Sequence, residues 1–441
     1  MSIISMDGKK HGDDEVLRKL LGGELSLSGL STFLEDEMES SRIRRLYLEK
    51  KYGIKFQNII STSIDHEDAG KRNIENMIGA TQRPLGFVEA KINGEHISGT
   101  KPIFMSTTEG RLVAGVSRGL KAINGGGGAT TTIIDDKMTR SIIIETSGAR
   151  ESKHIMSFVK SDEGFKFIKT EFSHHTKHGE LLGIDCYTTG RNLFIVYRAR
   201  TGAAMGMNMV TIASNNTTAK LIGRLNEDRK GQKAFEKELE KSSMIATKKV
   251  LRVLSESGNL CIDKKPAMKN VLLGRGISII AEAVIPRDVV KNTLKSDPES
   301  MAKINYVKNY MGSGLAGSLA HNAQVANILN AAFDAYGQDV AQIVDGVNAF
   351  DDVAVTDEGN LYVSIYMPAL EVGTYGGGTA RETPKELLIA SGVYGEGDSQ
   401  GKTKYMLAEL IATACLAGEV NLLAAESSGE LTKAHASIRR G

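Results

Sequence analysis

The sequence predicts an α+β protein: a large mixed helical and strand domain, a smaller domain inserted into it, and a small helical N-terminal region. Three observations carry this reading. The chain has 441 residues, a length that fits two or three domains better than one. Residues 141–256 open and close on strand-like segments and lie between two stretches that could belong to one domain. Residues 266–441 combine long segments of helical apolar spacing with a strand.

Taken in order, residues 1–74 read as charged and mostly helical, with SSRIRRLYLEKKYGIKF as a surface helix. Residues 75–140 mix short strands with one clear helix over 110–123, where Leu112, Val113, Val116 and Leu120 give a buried face. Within 141–256, SIIIET is a strand, 152–172 is helical, 193–198 is a strand, a helix follows Met205, and 248–255 is a strand. Residues 257–265 form a connecting loop. Helices are predicted over 318–333 and 404–425, and a strand over 361–367. The expected boundaries are therefore 1–74, then 75–140 together with 266–441, and 141–256 as the insert.

Composition narrows the function classes. Lys and Arg number 55 against 53 Asp and Glu, a net charge of +2, which argues against a general nucleic-acid binder. Cys186, Cys261 and Cys415 are few, odd in number and widely spaced. They offer neither a disulfide framework nor zinc spacing, so a reducing compartment and no metal site are expected. The best apolar stretch, 410–425, holds Gly418 and Glu419 and reads as too short and too mixed to span a bilayer. The N-terminus shows no continuous apolar signal region. A soluble cytoplasmic protein is expected.

Several short motifs could carry chemistry. Glu109 lies in STTEGRLVA at a loop-to-helix junction, where it is either a capping carboxylate or a proton donor beside the basic Arg111, Arg118 and Lys121. Asp263, Lys264 and Lys265 precede Pro266, which suits a helix start. Two such lysines are either solvated or, in a cleft, able to stabilise an oxyanion and pair with a carboxylate. GAAMGMNM over 202–209 is either adaptable core filling or a turn for a flat ring or pyrophosphate. His174, His175, Lys177 and His178 form a basic cluster that could bind a ribose 2′-phosphate. Gly312-x-Gly314-x-x-Gly317 is a formal GxGxxG, but the residues before it do not read as a buried strand, so tight packing is favoured over a Rossmann turn. Gly376, Gly377 and Gly378 follow the 361–367 strand, where a ligand or a neighbouring strand approaches closely. Asp339 ends a helix, and His435 lies near the C-terminus.

In this order the motifs resemble the class I hydroxymethylglutaryl-CoA reductases. The matching segments are ENMIG (75–79), TTEGRLVA (107–114), KAINGGGGAT (121–130), MTR (138–140), RTGAAMGMNM (200–209), DKKPA (263–267), AEAVIP (281–286), GQD (337–339) and EVGTYGGGT (371–379). The resemblance runs from about residue 70 to the C-terminus. It implies that the insert is a ferredoxin-like, non-Rossmann NADP-binding domain and that the large domain binds the CoA thioester. It implies four-electron reduction of 3-hydroxy-3-methylglutaryl-CoA to mevalonate and CoA with NADPH, in isoprenoid synthesis. The implied catalytic groups are Glu109, Lys264, Asp339 and His435. Arg140, Ser257, Asp263, Lys265, Lys308 and Asn327 would hold the hydroxymethylglutaryl group. Ser117, Arg118 and Lys121 would lie near CoA. Lys177, His178, Met205, Gly206, Met207, Asn208, Gly376, Gly377 and Gly378 would lie along NADPH. The resemblance further implies a homodimer or dimer-based homotetramer with shared active sites.

The sequence departs from the family at Ala203, where an aspartate is usual, and at Gln324, where a histidine is usual. It ends six residues after His435, so a regulatory serine beyond that histidine and a membrane anchor are not expected. These features point to an archaeal-like enzyme. An NADH-preferring or degradative-direction relative, and a non-catalytic CoA-thioester-binding paralogue, stay open at this point.

Overall fold

The computed structural model describes residues 2–4, 10–27, 29–34, 36–52, 74–81, 83–231 and 251–428. The chain forms two compact units, Met1–Pro84 with Ala380–Glu382, and Leu85–Thr379 with Thr383–Gly441.

In the first unit, strands β1 (Ser2–Ile4) and β2 (Lys10–Gly12) pair antiparallel. Helices α1 (Asp13–Leu21), α2 (Leu30–Leu34) and α3 (Glu37–Tyr52) follow. Val16, Leu17 and Leu20 of α1 pack with Leu30, Leu34, Ile43 and Tyr47. The helix expected at the surface therefore has a buried face. Even Arg44 is buried on it, because its guanidinium pairs with Glu37 at 2.6 Å and donates to the Met77 carbonyl at 3.1 Å. Residues 53–56 of the expected helix lie outside the described residues.

The second unit opens with the hairpin β3 (Leu85–Gly94) and β4 (Ser98–Ser106), then α4 (Leu112–Gly125) and β5 (Ala129–Glu145). Next come α5 (Ala149–Lys160), α6 (Asp162–His174), β6 (Glu180–Thr189), β7 (Asn192–Arg200), α7 (Met207–Gly231) and β8 (Arg252–Ser255). The chain continues through α8 (Met268–Leu273), β9 (Gly276–Ile285), α9 (Val325–Ala335), β10 (Phe350–Val355), β11 (Leu361–Leu370) and α10 (Lys402–Ser427).

The 17-residue β5 organises this unit. Its first half pairs with β9, in a sheet ordered β10-β11-β9-β5-β3-β4. Its second half pairs with β7 and β8 in an antiparallel arrangement ordered β6-β7-β5-β8. The segment SIIIET is thus most of the second half of a longer strand. Ile142 and Ile144 point into a separate core with Ile168, Phe172, Leu193, Tyr197, Val210 and Leu221. Among the described residues from β5 to β8 the order is strand, two helices, two strands, helix, strand. The single helix expected over 152–172 is two, divided at Ser161, whose Oγ accepts the Gly164 N–H at 3.1 Å and caps α6.

The main core lies between the large sheet and α4, α9 and α10. Val116, Leu120 and Ile123 of α4 recur at helical spacing and are buried. Gly119 on the same helix sits so close to the Ala417 carbonyl of α10 that a Cβ would overlap it. Helix α10 is longer than the stretch read from the sequence. By length and composition it could cross a membrane, yet most of it is buried against other elements, as the central helix of a core is.

The helix expected over 318–333 begins only at Val325. Glu419 of α10 accepts the backbone N–H groups of Ala323 and Gln324 at 2.6 and 2.7 Å, which fixes the helix entry there. The GxGxxG stretch follows the helical segment Asn305–Gly312 rather than a strand, in keeping with packing over dinucleotide binding.

Candidate active site

The loop between β8 and α8 carries the expected lysines. It is wound tightly: Asn259, Ile262 and Lys264 all adopt left-handed backbone, with φ of 57°, 51° and 58°. Non-glycine residues pay for that conformation with local strain, so other contacts must hold the loop. The Lys264 N–H donates to Asp345 Oδ2 at 2.9 Å, and Asn270 Nδ2 donates to Asp345 Oδ1 at 3.0 Å and to the Ile262 carbonyl at 2.9 Å. The Lys264 ammonium then projects to Asp339, 2.6 Å from Oδ2, with both side chains a little over one-third exposed. Asp339 holds this ammonium above the ordinary lysine range, against a smaller opposing effect of burial. The Lys265 ammonium turns back to the Asp263 carbonyl at 3.2 Å.

Beneath the loop lies a cluster of which the sequence reading named only Asp263 as a site residue. Arg275 is fully buried between Asp263, Asp345 and Glu371. The three carboxylates approach within 4.8 Å of one another, a spacing that could hold a cation, and the guanidinium lies among them. Burial pushes Glu371 up to about 8, more than Arg275 can offset. Burial likewise raises Asp345, whereas for Asp263 the effect of burial is outweighed by Gln342, Arg275 and Lys264, which leave it below its ordinary value. Burial thus favours the neutral form of Glu371, in opposition to its pairing with Arg275. Glu371 sat inside a quoted motif, and its signal was a carboxylate directly after the apolar run of β11.

Glu109 departs from expectation. A carboxyl that donates a proton near neutral pH needs burial or a nearby anion to raise its pKa, but in the single chain Glu109 is exposed on the turn before α4, its N–H bound to Thr107 Oγ1 at 3.0 Å. Arg140 is half-buried, and its Nε donates to the Glu256 carbonyl at 3.0 Å. Ser257 closes a small turn through its N–H to Ser255 Oγ at 3.1 Å. Lys308 is paired with both oxygens of Glu426, at 2.7 and 2.8 Å. Asn327 lies on the first turn of α9, where its N–H reaches the Gln324 carbonyl at 3.0 Å. Gln324 itself donates through Nε2 to the Gly418 carbonyl at 2.6 Å. Ser117 and Lys121 are exposed on α4, while Arg118 reaches the carbonyls of Thr293 and Leu294. His435 lies outside the described residues.

On the second core, Lys177 and His178 are exposed on a turn whose N–H groups at His178 and Gly179 bond to Thr176 Oγ1. The 201–206 turn opens α7, with Gly206 at φ 88° and Asn208 exposed. Ala203 is buried there. Its carbonyl accepts the Thr374 N–H at 2.8 Å, so this turn and the 373–379 glycine turn are stitched together. Gly376 and Gly377 have left-handed φ, and nothing stands where their side chains would be. The open glycine backbone at 376–377 and, on a separate turn, the exposed Lys177 ammonium are each of a chemistry that a dinucleotide phosphate takes.

Comparison with known proteins identifies the family. Residues 40–440 match the family hydroxymethylglutaryl-coenzyme A reductase. The 3-hydroxy-3-methylglutaryl-coenzyme A reductase of Pyrococcus horikoshii is 42% identical over 438 residues, covering 99% of this chain and 100% of that one. Its counterpart in Methanocaldococcus jannaschii is 41% identical over 429 residues, covering 97% and 99%. Among solved structures, the 3-hydroxy-3-methylglutaryl-coenzyme A reductase of Streptococcus pneumoniae superposes with a TM-score of 0.60 over 94% of this chain and 97% of that one, at 16% identity. A second structure, the class II reductase of that organism bound to NADPH, gives 0.59 over the same shares. At such identity these two likenesses show the fold alone.

Proposed function

The chain belongs to the hydroxymethylglutaryl-coenzyme A reductase family, and from that premise we propose that it reduces 3-hydroxy-3-methylglutaryl-CoA to mevalonate and CoA with two equivalents of NADPH. The observation that carries the reading is the Lys264–Asp339 ion pair, held at 2.6 Å on a strained loop. Archaeal relatives about 40% identical along nearly the whole chain place it among archaeal-like members. The three described cysteines are buried and unpaired, which fits the reducing cytoplasm.

The chemistry follows from where charge develops. NADPH, when bound, supplies each hydride. As the first reaches the thioester carbonyl, the oxygen becomes anionic and the Lys264 ammonium stabilises it. The hemithioacetal then collapses, its C–S bond breaks, and His435 gives a proton to the departing CoA thiolate, a role drawn from the resemblance. In the second reduction Glu109 donates a proton to the aldehyde oxygen, yielding the primary alcohol. Asp339 keeps Lys264 charged throughout. Arg140, Ser257, Asp263, Lys265, Lys308 and Asn327 hold the hydroxymethylglutaryl group, with Lys308 exchanging Glu426 for the substrate carboxylate. Ser117, Arg118 and Lys121 lie along CoA.

We assign the insert as a ferredoxin-like NADP domain, on the support of its β6-β7-β5-β8 order and its own core, with the pair α5 and α6 standing where that motif has one helix. Lys177 and His178 take the 2′-phosphate. Met205, Gly206, Met207, Asn208 and the Gly376, Gly377 and Gly378 turn line the cofactor. Domains then run 141–256 for the insert and 75–140 with 266–441 for the large domain. The exposure of Glu109 supports an active site completed by a second subunit, and α8 exposes Met268, Leu272 and Leu273 beside the lysine loop.

The test is NADPH oxidation at 340 nm with 3-hydroxy-3-methylglutaryl-CoA. About two NADPH consumed per CoA released, with a loss of about 100-fold or more in kcat for Lys264→Met, is the expected result. Substrate binding without oxidation would point to a non-catalytic thioester-binding protein instead.

A further inference from the structure

Arg275 lies at the start of β9, one residue before the strand, and its side chain is 0% exposed. All three of its nitrogens are engaged. Nε donates to Thr139 Oγ1 at 3.2 Å. Nη2 lies 3.0 Å from Asp263 Oδ1 and 2.9 Å from Met207 Sδ. Nη1 pairs with Glu371 and stands 3.7 Å from Asp345 Oδ2.

The partners matter more than their number. Thr139 is on β5, next to Arg140. Asp263 immediately precedes Lys264. Met207 begins α7, straight after the 201–206 turn. Glu371 leads into the 373–379 glycine turn. Asp345, the fifth partner, holds the Lys264 N–H itself at 2.9 Å. One rigid planar fork therefore grips the segments that carry the oxyanion lysine, a substrate arginine and both cofactor-side turns. Neutralising buried acids needs only a positive charge, which an ammonium would supply. Spanning these segments at fixed angles needs a guanidinium.

We infer that Arg275 is a positioning residue that holds the Lys264 loop in register with the cofactor-side turns, so that the ammonium meets the carbonyl oxygen as hydride arrives. This rests on Lys264 being the oxyanion-stabilising group.

The test uses the full-length enzyme and steady-state NADPH oxidation, with Arg275→Lys, Thr139→Val, Lys264→Met and the Arg275→Lys/Lys264→Met double variant. Folding is checked by circular dichroism and gel filtration, and rates are taken well below each melting temperature. Misplacing a catalytic group by about 1 Å costs on the order of 100-fold. Arg275→Lys is therefore expected to lower kcat by about 100-fold while KM for the thioester moves by less than about fivefold. The double variant should be no slower than Lys264→Met, because the arginine acts through that lysine. Thr139→Val removes one tine's contact without unpairing a charge, and should lower kcat by about five- to tenfold at unchanged KM. It serves if Arg275→Lys does not fold. Folded Arg275→Lys that keeps kcat within about twofold, losses that multiply in the double variant, or unaltered kcat in Thr139→Val would each overturn the inference. Full activity in Lys264→Met would instead overturn the underlying role of the lysine.

Discussion

Replacing Glu371 by glutamine tests whether the buried cluster carries a proton. Its carboxyl is almost wholly buried and is pushed from 4.5 to about 8. The sign follows from linkage. Unfolded, Glu371 ionises from about pH 4.5, whereas folded it stays protonated until about pH 8, so stability is full below the lower value and falls as pH rises through the upper one. At about 1.4 kcal/mol per pH unit, the total loss is on the order of 5 kcal/mol, of which about 3–4 kcal/mol falls between pH 5 and pH 8. A glutamine side chain cannot ionise, so the Glu371→Gln variant escapes that loss. The assay is urea unfolding of both proteins at pH 5 and pH 8. The variant's stability relative to the parent should improve by about 3–4 kcal/mol on going to the higher pH. Glu409, raised to about 7, and the raised Asp351 and Glu419 lie outside the cluster, are present in both proteins and largely cancel in that difference. If Glu371 were instead an ordinary ionised partner of Arg275, its pKa would be depressed. The variant would then lose stability throughout this range, with no gain at pH 8, and that result would refute the reasoning.

Other perturbations follow from the same geometry. Lys404 is buried with its ammonium 2.9 Å from both oxygens of Asp136, so Lys404→Met should leave an unpaired buried carboxylate and cost about 3–5 kcal/mol in denaturant unfolding. Gly119→Ala forces α4 away from the Ala417 carbonyl and should destabilise by about 1–3 kcal/mol, read as a shifted urea midpoint at unchanged slope. Lys177→Ala with His178→Ala should raise KM for NADPH by about tenfold or more and leave KM for NADH unaltered, because only the former carries the 2′-phosphate. Asp339→Asn removes the carboxylate that raises Lys264, so the alkaline fall in kcat should move to lower pH; an unmoved limb would separate that limb from Lys264.

Local elements were legible where one-dimensional pattern matches local burial. Leu112, Val116 and Leu120 announced α4, and Leu361 to Met367 announced most of β11. Strand β5 was singled out only over SIIIET, because its first half, ATTTIIDDK, though rich in β-branched residues, carries two aspartates and a lysine that break the apolar run. Asp136 within it is buried, and its partner Lys404 is 268 residues away. Nothing local to either residue reports that pairing. The site divides in the same way. Lys264 and Asp339 were legible through the motifs around them, and the structure joins them. Arg275, in GRG between a short helix and a strand, has the surroundings of an exposed turn, and only the tertiary fold places three carboxylates about it. Glu419 is the contrary case. It lies in a helix that is apolar all round, where a carboxylate has no route to water and must find donors inside the protein. Its burial, and its need for donors inside the protein, could have been deduced from the sequence, whereas the donors themselves, the Ala323 and Gln324 N–H groups, come from the tertiary fold. The difference is physical: a charge is legible as buried when every neighbouring position in its own element is apolar, and illegible when its burial is imposed from elsewhere in the chain.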